Sequence, residues 1–137
     1  MSVSINYLAV IVSAVAAMGI GFAWYSKSLF GKRWMKLVGL SEAELEKRKK
    51  EMGPKYGLMA VSALVMAYVL THIVYYTGAT TISGGMQAGF WVWLGFVATT
   101  SLGDVIFVGR PRDLYLINVG YHLVTLLAMG SILAVWA

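Results

Sequence analysis

The sequence contains no cysteine and very little charge. Without cysteine the chain forms no disulfide, offers no thiol nucleophile and supplies no thiolate ligand for zinc. Charged residues make up 12% of the 137 residues, whereas soluble domains carry roughly 25%. Hydrophobic residues reach 59%, and the mean hydropathy is +0.73. This composition fits poorly with a water-soluble domain and indicates one domain of a membrane protein.

The charged residues are confined to two connecting segments. No Asp, Glu, Lys or Arg occurs within residues 1–26, 56–103 or 114–137. A segment of ~20 apolar residues, rising ~1.5 Å per residue, crosses a ~30 Å hydrocarbon core. The uncharged stretch over 56–103 is too long for one helix, and residues 78–85 are predicted as a turn within it. The four predicted spans are 5–25, 56–77, 86–108 and 114–136.

The sequence therefore predicts an all-α, integral membrane four-helix bundle that forms a single membrane domain over residues 1–137. A short cytoplasmic helical connection, residues 27–55, joins the first two spans. An uncleaved first span is favoured over a signal peptide, because no basic segment precedes it and the apolar run is too long. Gly109 and Pro111 are predicted to end the third span and open the fourth.

The formal charge of +5 has two explanations, membrane topology and nucleic-acid binding. Nine of the eleven cations lie within residues 27–55, and the other two follow the third span. Alternating spans place both segments on one side, and the positive-inside rule makes that side cytoplasmic, with both termini outside. We therefore expect a multi-pass protein of the cytoplasmic membrane, in contact with the lipid bilayer and with no nucleic-acid partner. The expected contacts with anionic lipid are Lys32, Arg33, Lys36, Arg110 and Arg112.

The connection between the first two spans contains two patterns typical of helices. Apolar residues recur at helical spacing among the cations of residues 29–38, which predicts an amphipathic segment in the headgroup region. Ser41 and Glu44 have capping-box spacing and predict a helix over residues 42–52 that ends at Gly53 and Pro54. The basic run over 47–50 is either a solvated face that sets topology or a contact with anionic lipid.

Several short motifs of this sequence resemble those of one family. They are Trp24-Tyr25-Ser26, Leu29-Phe30-Gly31-Lys32, Trp34, Leu40-Ser41-Glu42, Trp93-Leu94-Gly95-Phe96-Val97-Ala98-Thr99-Thr100, Gly109-Arg110-Pro111 and Asn118-Val119-Gly120-Tyr121-His122-Leu123. Over almost the whole chain, these motifs resemble the domain of unknown function 1761 family. The resemblance implies a small prokaryotic membrane protein with no established activity, and it supplies no catalytic residue. Lys27 departs from the pattern, which tends to have proline there.

Few polar side chains lie within the predicted spans, and ionisable groups in lipid are expensive enough to mark a partner or a pathway. On the last span, Tyr115, Asn118, His122 and Thr125 are spaced to share one face. They form either a track for a proton or small solute, with His122 titrating beside Asp104, or hydrogen bonds between helices. The predicted polar intramembrane site comprises Asp104, Asn118, His122, Thr99, Thr100 and Thr125.

Motifs for catalysis and for metal binding are missing from the sequence. His72 and His122 are expected to differ in depth by about 10 Å on straight helices, whereas zinc ligands lie ~2.0 to 2.2 Å from one ion. The chain has no HExxH motif, no glycine-rich phosphate loop and no Ser-His-Asp set. We therefore expect no enzyme activity, no cofactor and no bound metal.

Two hypotheses for function follow. The first is a self-associating structural or accessory membrane protein that can join a larger membrane complex; the alternative is a small channel or transporter for a proton, ion or small solute at the Asp104, Asn118 and His122 region. Small residues recur every four positions on three spans, and such stripes let helices approach closely. We predict a homo-oligomer, a dimer with the first span at its interface, with a monomer as the alternative. The stripes are Ala9, Ser13, Ala17 and Gly21; Ala63, Ala67 and Thr71; and Gly95, Thr99 and Gly103.

Overall fold

The computed structural model of the protein describes residues 3–136, so that Met1, Ser2 and Ala137 lie outside the described residues. Four helices are long and apolar enough to cross a membrane, and two short helices lie between the first and second of them. The predicted all-α, four-helix membrane architecture is confirmed. The helices are α1 (Tyr7–Trp24), α2 (Gly31–Val38), α3 (Glu42–Lys49), α4 (Gly53–Thr77), α5 (Ile82–Ile106) and α6 (Arg112–Val135).

The turn between α4 and α5 is shorter than predicted. Gly78 ends α4 in the left-handed conformation with φ +72°, as a helix C-terminus favours. Thr81 then caps α5, because its Oγ1 accepts a 3.0 Å hydrogen bond from the amide of Gly84. The prediction that Gly84 and Gly85 belong to the turn is therefore wrong, and α5 begins at Ile82 rather than at residue 86.

The connection between α1 and α4 contains two helices, as predicted. The Oγ of Ser41 accepts a 3.2 Å hydrogen bond from the amide of Glu44 and caps α3. However, α3 ends at Lys49, and the prediction that Gly53 and Pro54 terminate it is wrong. They form the first turn of α4 instead, where proline loses no helical hydrogen bond.

Helix α6 lies at the centre of the bundle and packs against α1, α4 and α5. Its buried residues include Leu126, Met129 and Gly130. Helix α5 approaches α6 with its backbone, since a Cβ atom added to Gly85 would overlap the carbonyl of Gly130. A Cβ atom on Gly89 would likewise overlap the carbonyl of Leu126. The two helices can approach this closely because glycine occupies the contact.

The three stripes of small residues are used differently. On α1, Ala9 and Ser13 are buried within the single chain, and on α4 Ala67 is buried in the same way. Because α1 and α4 contact each other and α6, both stripes serve packing inside the bundle. The stripe on α5 is different: among the described residues, nothing lies within 4 Å of a Cβ atom added to Gly95 or Gly103. The first span, predicted as a subunit interface, thus already uses its small-residue stripe inside the chain.

Both basic connections lie at the same end of the bundle. An ion pair between Arg33 of α2 and Asp113 at the start of α6 joins them. At the opposite end, the side-chain amide of Asn6 donates a 2.7 Å hydrogen bond to the carbonyl of Trp136. We call the end formed by residues 25–52 and 107–111 the basic end.

Candidate functional site

Near the basic end, α1 and α6 are joined by two hydrogen bonds that run in opposite directions. The indole Nε1 of Trp24 in α1 donates to the carbonyl of Ile117 in α6 at 2.9 Å. The hydroxyl of Tyr121 in α6 donates to the carbonyl of Ala17 in α1 at 3.1 Å. Each aromatic ring thus buries its apolar body between the helices while its polar atom reaches backbone, which satisfies both.

Helices α5 and α6 are joined in the same reciprocal manner. The indole Nε1 of Trp93 donates to the carbonyl of Val119 at 2.7 Å, and the hydroxyl of Tyr115 donates to the carbonyl of Ala98 at 2.7 Å. Both α5 groups lie within a π-helical segment, Trp93–Ala98. Such segments are rare and interrupt the regular backbone bonding of a helix, often at functional sites.

A fifth interhelical bond lies beside these four. The hydroxyl of Tyr25 donates to Oδ1 of Asn118 at 2.8 Å. The ring of Tyr25 also packs edge-on against the rings of Trp34 and Tyr121, with centroids 5.9 and 5.5 Å away. Asn118, which belongs to the predicted polar site, is therefore held by an aromatic residue at the end of α1.

A cavity of about 710 Å³ lies at the basic end, between the two short helices and the ends of the long helices α1, α4 and α6. We call it the methionine cavity, because Met18, Met35, Met52 and Met59 contribute to its lining. Residues of α1, α2, α3, α4 and α6 surround it, and most of its surface is apolar. Its other lining residues include Phe22, Tyr25, Ser26, Lys27, Trp34, Leu45, Lys49, Tyr56, Asn118 and Tyr121.

A second, more polar cavity of about 340 Å³ lies between α5 and α6. It brings together Asp104, Asn118 and His122, three of the predicted site residues, and adds Arg110. Within residues 3–136, the side chains of Asp104 and His122 form no hydrogen bond and no ion pair in this arrangement. We call this space the polar cavity. Tyr25, Met59, Asn118 and Tyr121 line both cavities and separate them.

The other predicted site residues lie elsewhere. The hydroxyls of Thr99 and Thr100 donate to the carbonyls of Gly95 and Phe96, one turn earlier in the same helix. Thr125 is buried, and its hydroxyl has no hydrogen-bond partner in the described part of the chain. The predicted polar face on α6 therefore does not continue from His122 to Thr125 along one cavity.

The predicted lipid-contacting cations are exposed at the basic end. Among them, and within the described residues, Arg33 alone forms an ion pair, with Asp113. The expected contact with anionic lipid stays a prediction. These cations are Lys32, Arg33, Lys36, Arg110 and Arg112.

His72 lies apart from His122 and lines neither cavity. Its Nδ1 is 2.9 Å from the carbonyl of Tyr68, and its ring packs between those of Tyr68 and Tyr76. Over residues 3–136, no three His, Asp or Glu side chains are grouped so that they could hold a metal ion.

Sequence reasoning missed the aromatic partners of this region. Trp24, Tyr25 and Tyr121 belong to the family motifs but are given no role in the predicted site. Their contacts join positions 93 to 104 residues apart, which no local pattern reveals. The one signal was their presence in the motifs Trp24-Tyr25-Ser26 and Asn118-Val119-Gly120-Tyr121-His122-Leu123, on which the family resemblance rests.

Comparison with known proteins gives one match. The model of a family described as "Protein of unknown function (DUF1761)" matches residues 8–134, from the first turn of α1 to the last turn of α6. No curated protein and no solved structure matches this chain. The match covers both cavities and all five interhelical hydrogen bonds described above.

Proposed function

We propose that this chain, which belongs to the DUF1761 family of proteins of unknown function, is a self-associating accessory protein of the cytoplasmic membrane. The observation that carries this proposal is the uncovered face of α5. Gly95 and Gly103, eight residues apart on that helix, both have open space at the Cβ position among the described residues. Thr99, between them, is exposed.

Helix association in lipid depends on close backbone packing, because lipid tails are as apolar as the helices themselves. The bundle already uses this device once, where Gly85 and Gly89 of α5 meet α6. The second small-residue face of α5, over residues 95–103, can accept the same helix of another copy. A two-fold dimer follows, because it is the commonest closed assembly.

The proposed orientation places the basic end in the cytoplasm. All eleven cations lie in the segments that form this end or adjoin it, and the positive-inside rule assigns them to the cytoplasmic side. The cysteine-free sequence permits a direct test by labelling of intact cells with an impermeant thiol reagent. Thr80→Cys, in the exposed turn at the opposite end, should label, whereas Lys49→Cys should label only after lysis. The reverse pattern would invert the orientation.

Self-association is tested by native mass spectrometry from mild detergent or nanodiscs. The unsubstituted protein should give a dimer mass. Gly95→Leu should give the mass of a single protomer instead, because the larger side chain fills the space where the two copies would meet. Gly19→Leu is the matched control, since Gly19 of α1 also has nothing within 4 Å of its Cβ position among the described residues. A protomer mass for the unsubstituted protein at every concentration would refute the proposal, as would a Gly95→Leu dimer.

A second candidate function is the transport of a proton, ion or small solute. It is favoured by one observation, the presence of Asp104, Asn118 and His122 around the polar cavity. Ionisable residues within spans commonly mark such pathways. Proton flux into proteoliposomes, followed with an internal pH-sensitive dye, is the test. Asp104→Leu should abolish a flux that Thr99→Val leaves intact, and flux no greater than that of protein-free vesicles would remove this candidate.

A further inference from the structure

We propose that the methionine cavity is a binding site for one anionic phospholipid of the surrounding leaflet. An acyl chain would occupy the apolar interior, and the phosphate would lie between Lys27 and Lys49. This inference uses a different surface from the α5 face and is independent of the proposed self-association.

The cavity has the size of a ligand site. Its volume of about 710 Å³ falls within the ~300 to 1,000 Å³ of small-molecule pockets. Its position is set by the tight turn after α1, where a Cβ atom on Gly31 would overlap the carbonyl of Tyr25. Helix α2 is thereby held against the end of α1, and α3 follows it across the basic end.

The interior suits a flexible hydrocarbon chain. Methionine side chains are unbranched and polarizable, so four of them can adapt to an occupant without a fixed shape. Helix α3 supports the same conclusion, because no residue of Glu42–Lys49 is buried. Its apolar Leu45 lines the cavity and is only partly covered. An acyl chain in the cavity would cover the part of the Leu45 side chain that the protein itself leaves exposed.

The charges around the cavity favour an anion. Lys27 and Lys49 both line it, and no carboxylate is present among its described lining residues. Lys49 Nζ is 3.3 Å from Glu46, but both side chains are more than half exposed, and such a surface pair is weak and screened. The hydroxyl of Ser26 already donates to the carbonyl of Ala23, but the side-chain nitrogen of Asn118, whose Oδ1 accepts from Tyr25, can donate to a phosphate oxygen. The lysines supply the charge, and this amide supplies a directional contact.

The cavity lies beside the outer surface of the long apolar helices, and this position favours a lipid as its occupant. Phe22 of α1 and Tyr56 of α4 line the cavity with their rings 5.5 Å apart, and they are 57% and 42% exposed. Because both rings belong to helices that are apolar enough to span a membrane, we expect the lipid to enter the cavity beside this pair. The exposed Lys32 and Lys36 of α2 mark the headgroup level beside it, as in interfacial amphipathic helices.

The test is native mass spectrometry of the full-length protein in mild detergent, titrated with phosphatidylglycerol or with phosphatidylcholine of the same acyl chains. We expect one phosphatidylglycerol to bind at lower concentration than phosphatidylcholine. The double variant Lys27→Gln/Lys49→Gln should weaken phosphatidylglycerol binding by roughly tenfold, since each nearby cation contributes to attraction of an anionic headgroup. Circular dichroism and melting of the variant should match those of the unsubstituted protein.

The matched control is Lys47→Gln/Lys55→Gln, which removes the same charge from two exposed positions that do not line the cavity. It should weaken binding by less than about twofold, because exposed charges act through a screened field. Equal losses in the two double variants would overturn the site, as would equal affinity for the two lipids. Glycerol phosphate alone should not bind at these concentrations. If it binds as tightly as the lipid, the acyl chain plays no part and the proposal fails.

Discussion

The hydroxyl of Tyr25, just after α1, donates a 2.8 Å hydrogen bond to Oδ1 of Asn118 in α6, 93 positions later in the chain. Both residues line the methionine cavity and the polar cavity. This bond therefore fixes part of the wall that separates an apolar space carrying two lysines from a polar space carrying Asp104 and His122.

Tyr25→Phe should lower the free energy of unfolding by about 0.6 kcal/mol, the average for interhelical hydrogen bonds in a membrane protein, and by no more than about 1.7 kcal/mol, their maximum. The measurement is denaturation in mixed micelles. Tyr75→Phe is the control, because Tyr75 is 53% exposed and lies at the opposite end. In a double-mutant cycle with Asn118→Ala the effects should not add, since either change removes the same bond. Full additivity would show that the two side chains do not interact.

Gly85→Ala should be strongly destabilising and lower the melting temperature, because its Cβ atom would overlap the carbonyl of Gly130 and force α5 away from α6. Overpacking of this kind costs about 1 to 3 kcal/mol. Gly19→Ala is the matched control: it adds the same methyl group where, among the described residues, nothing lies within 4 Å. It should leave stability unchanged or raise it slightly, since alanine is the better helix former. Equal melting temperatures for the two variants would contradict the α5–α6 contact described here.

Trp93→Phe should destabilise the protein by about 1 kcal/mol or more, because the carbonyl of Val119 loses its 2.7 Å partner. Trp91→Phe, two residues earlier, removes the same indole from a side chain that is 64% exposed. Its effect on unfolding should be smaller than that of Trp93→Phe. The comparison is made by thermal unfolding of both variants in one detergent, and a larger effect at Trp91 would refute the assignment.

Asp113→Asn should change stability by less than about 1 kcal/mol although it breaks the ion pair with Arg33. The two side chains are 44% and 59% exposed, and exposed pairs contribute little because water and salt screen them. Melting of the unsubstituted protein should accordingly depend little on salt concentration. The expectation would be contradicted if Asp113→Asn lowered the melting temperature by several degrees and high salt lowered that of the unsubstituted protein by as much. The ion pair would then contribute more to stability than an exposed pair usually does.

The four long helices could be predicted from the sequence because three stretches lack charged residues, and each is long enough for one or two segments that cross a ~30 Å hydrocarbon core. The turn at residues 78–85 was predicted too long because glycine serves two purposes. Gly78 ends a helix with positive φ, whereas Gly85 allows a backbone contact with α6, and one sequence cannot distinguish these uses. The π-helical segment at Trp93–Ala98 was not predicted, because the local sequence pattern does not distinguish it from an α-helix.

Half of the predicted polar site was brought together around one cavity, namely Asp104, Asn118 and His122. These residues stand out because polar side chains are rare in apolar spans. The threonines on α5 stand out for the same reason, yet their hydroxyls bond to their own helix. Local composition therefore identifies which side chains are polar, but only the packing of helices decides which of them face each other.

The central position of α6 has a consequence for biogenesis. During translation α1, α4 and α5 are synthesised before α6, so they enter the bilayer before the helix that packs against all three exists. Until then Gly85 and Gly89 cannot make their close contacts with the backbone of α6. The indole N–H groups of Trp24 and Trp93 likewise lack the α6 carbonyls to which they donate in the folded protein. The contact between α1 and α4 can therefore form early, whereas the close packing of α5 has to wait for α6, the last helix to be inserted.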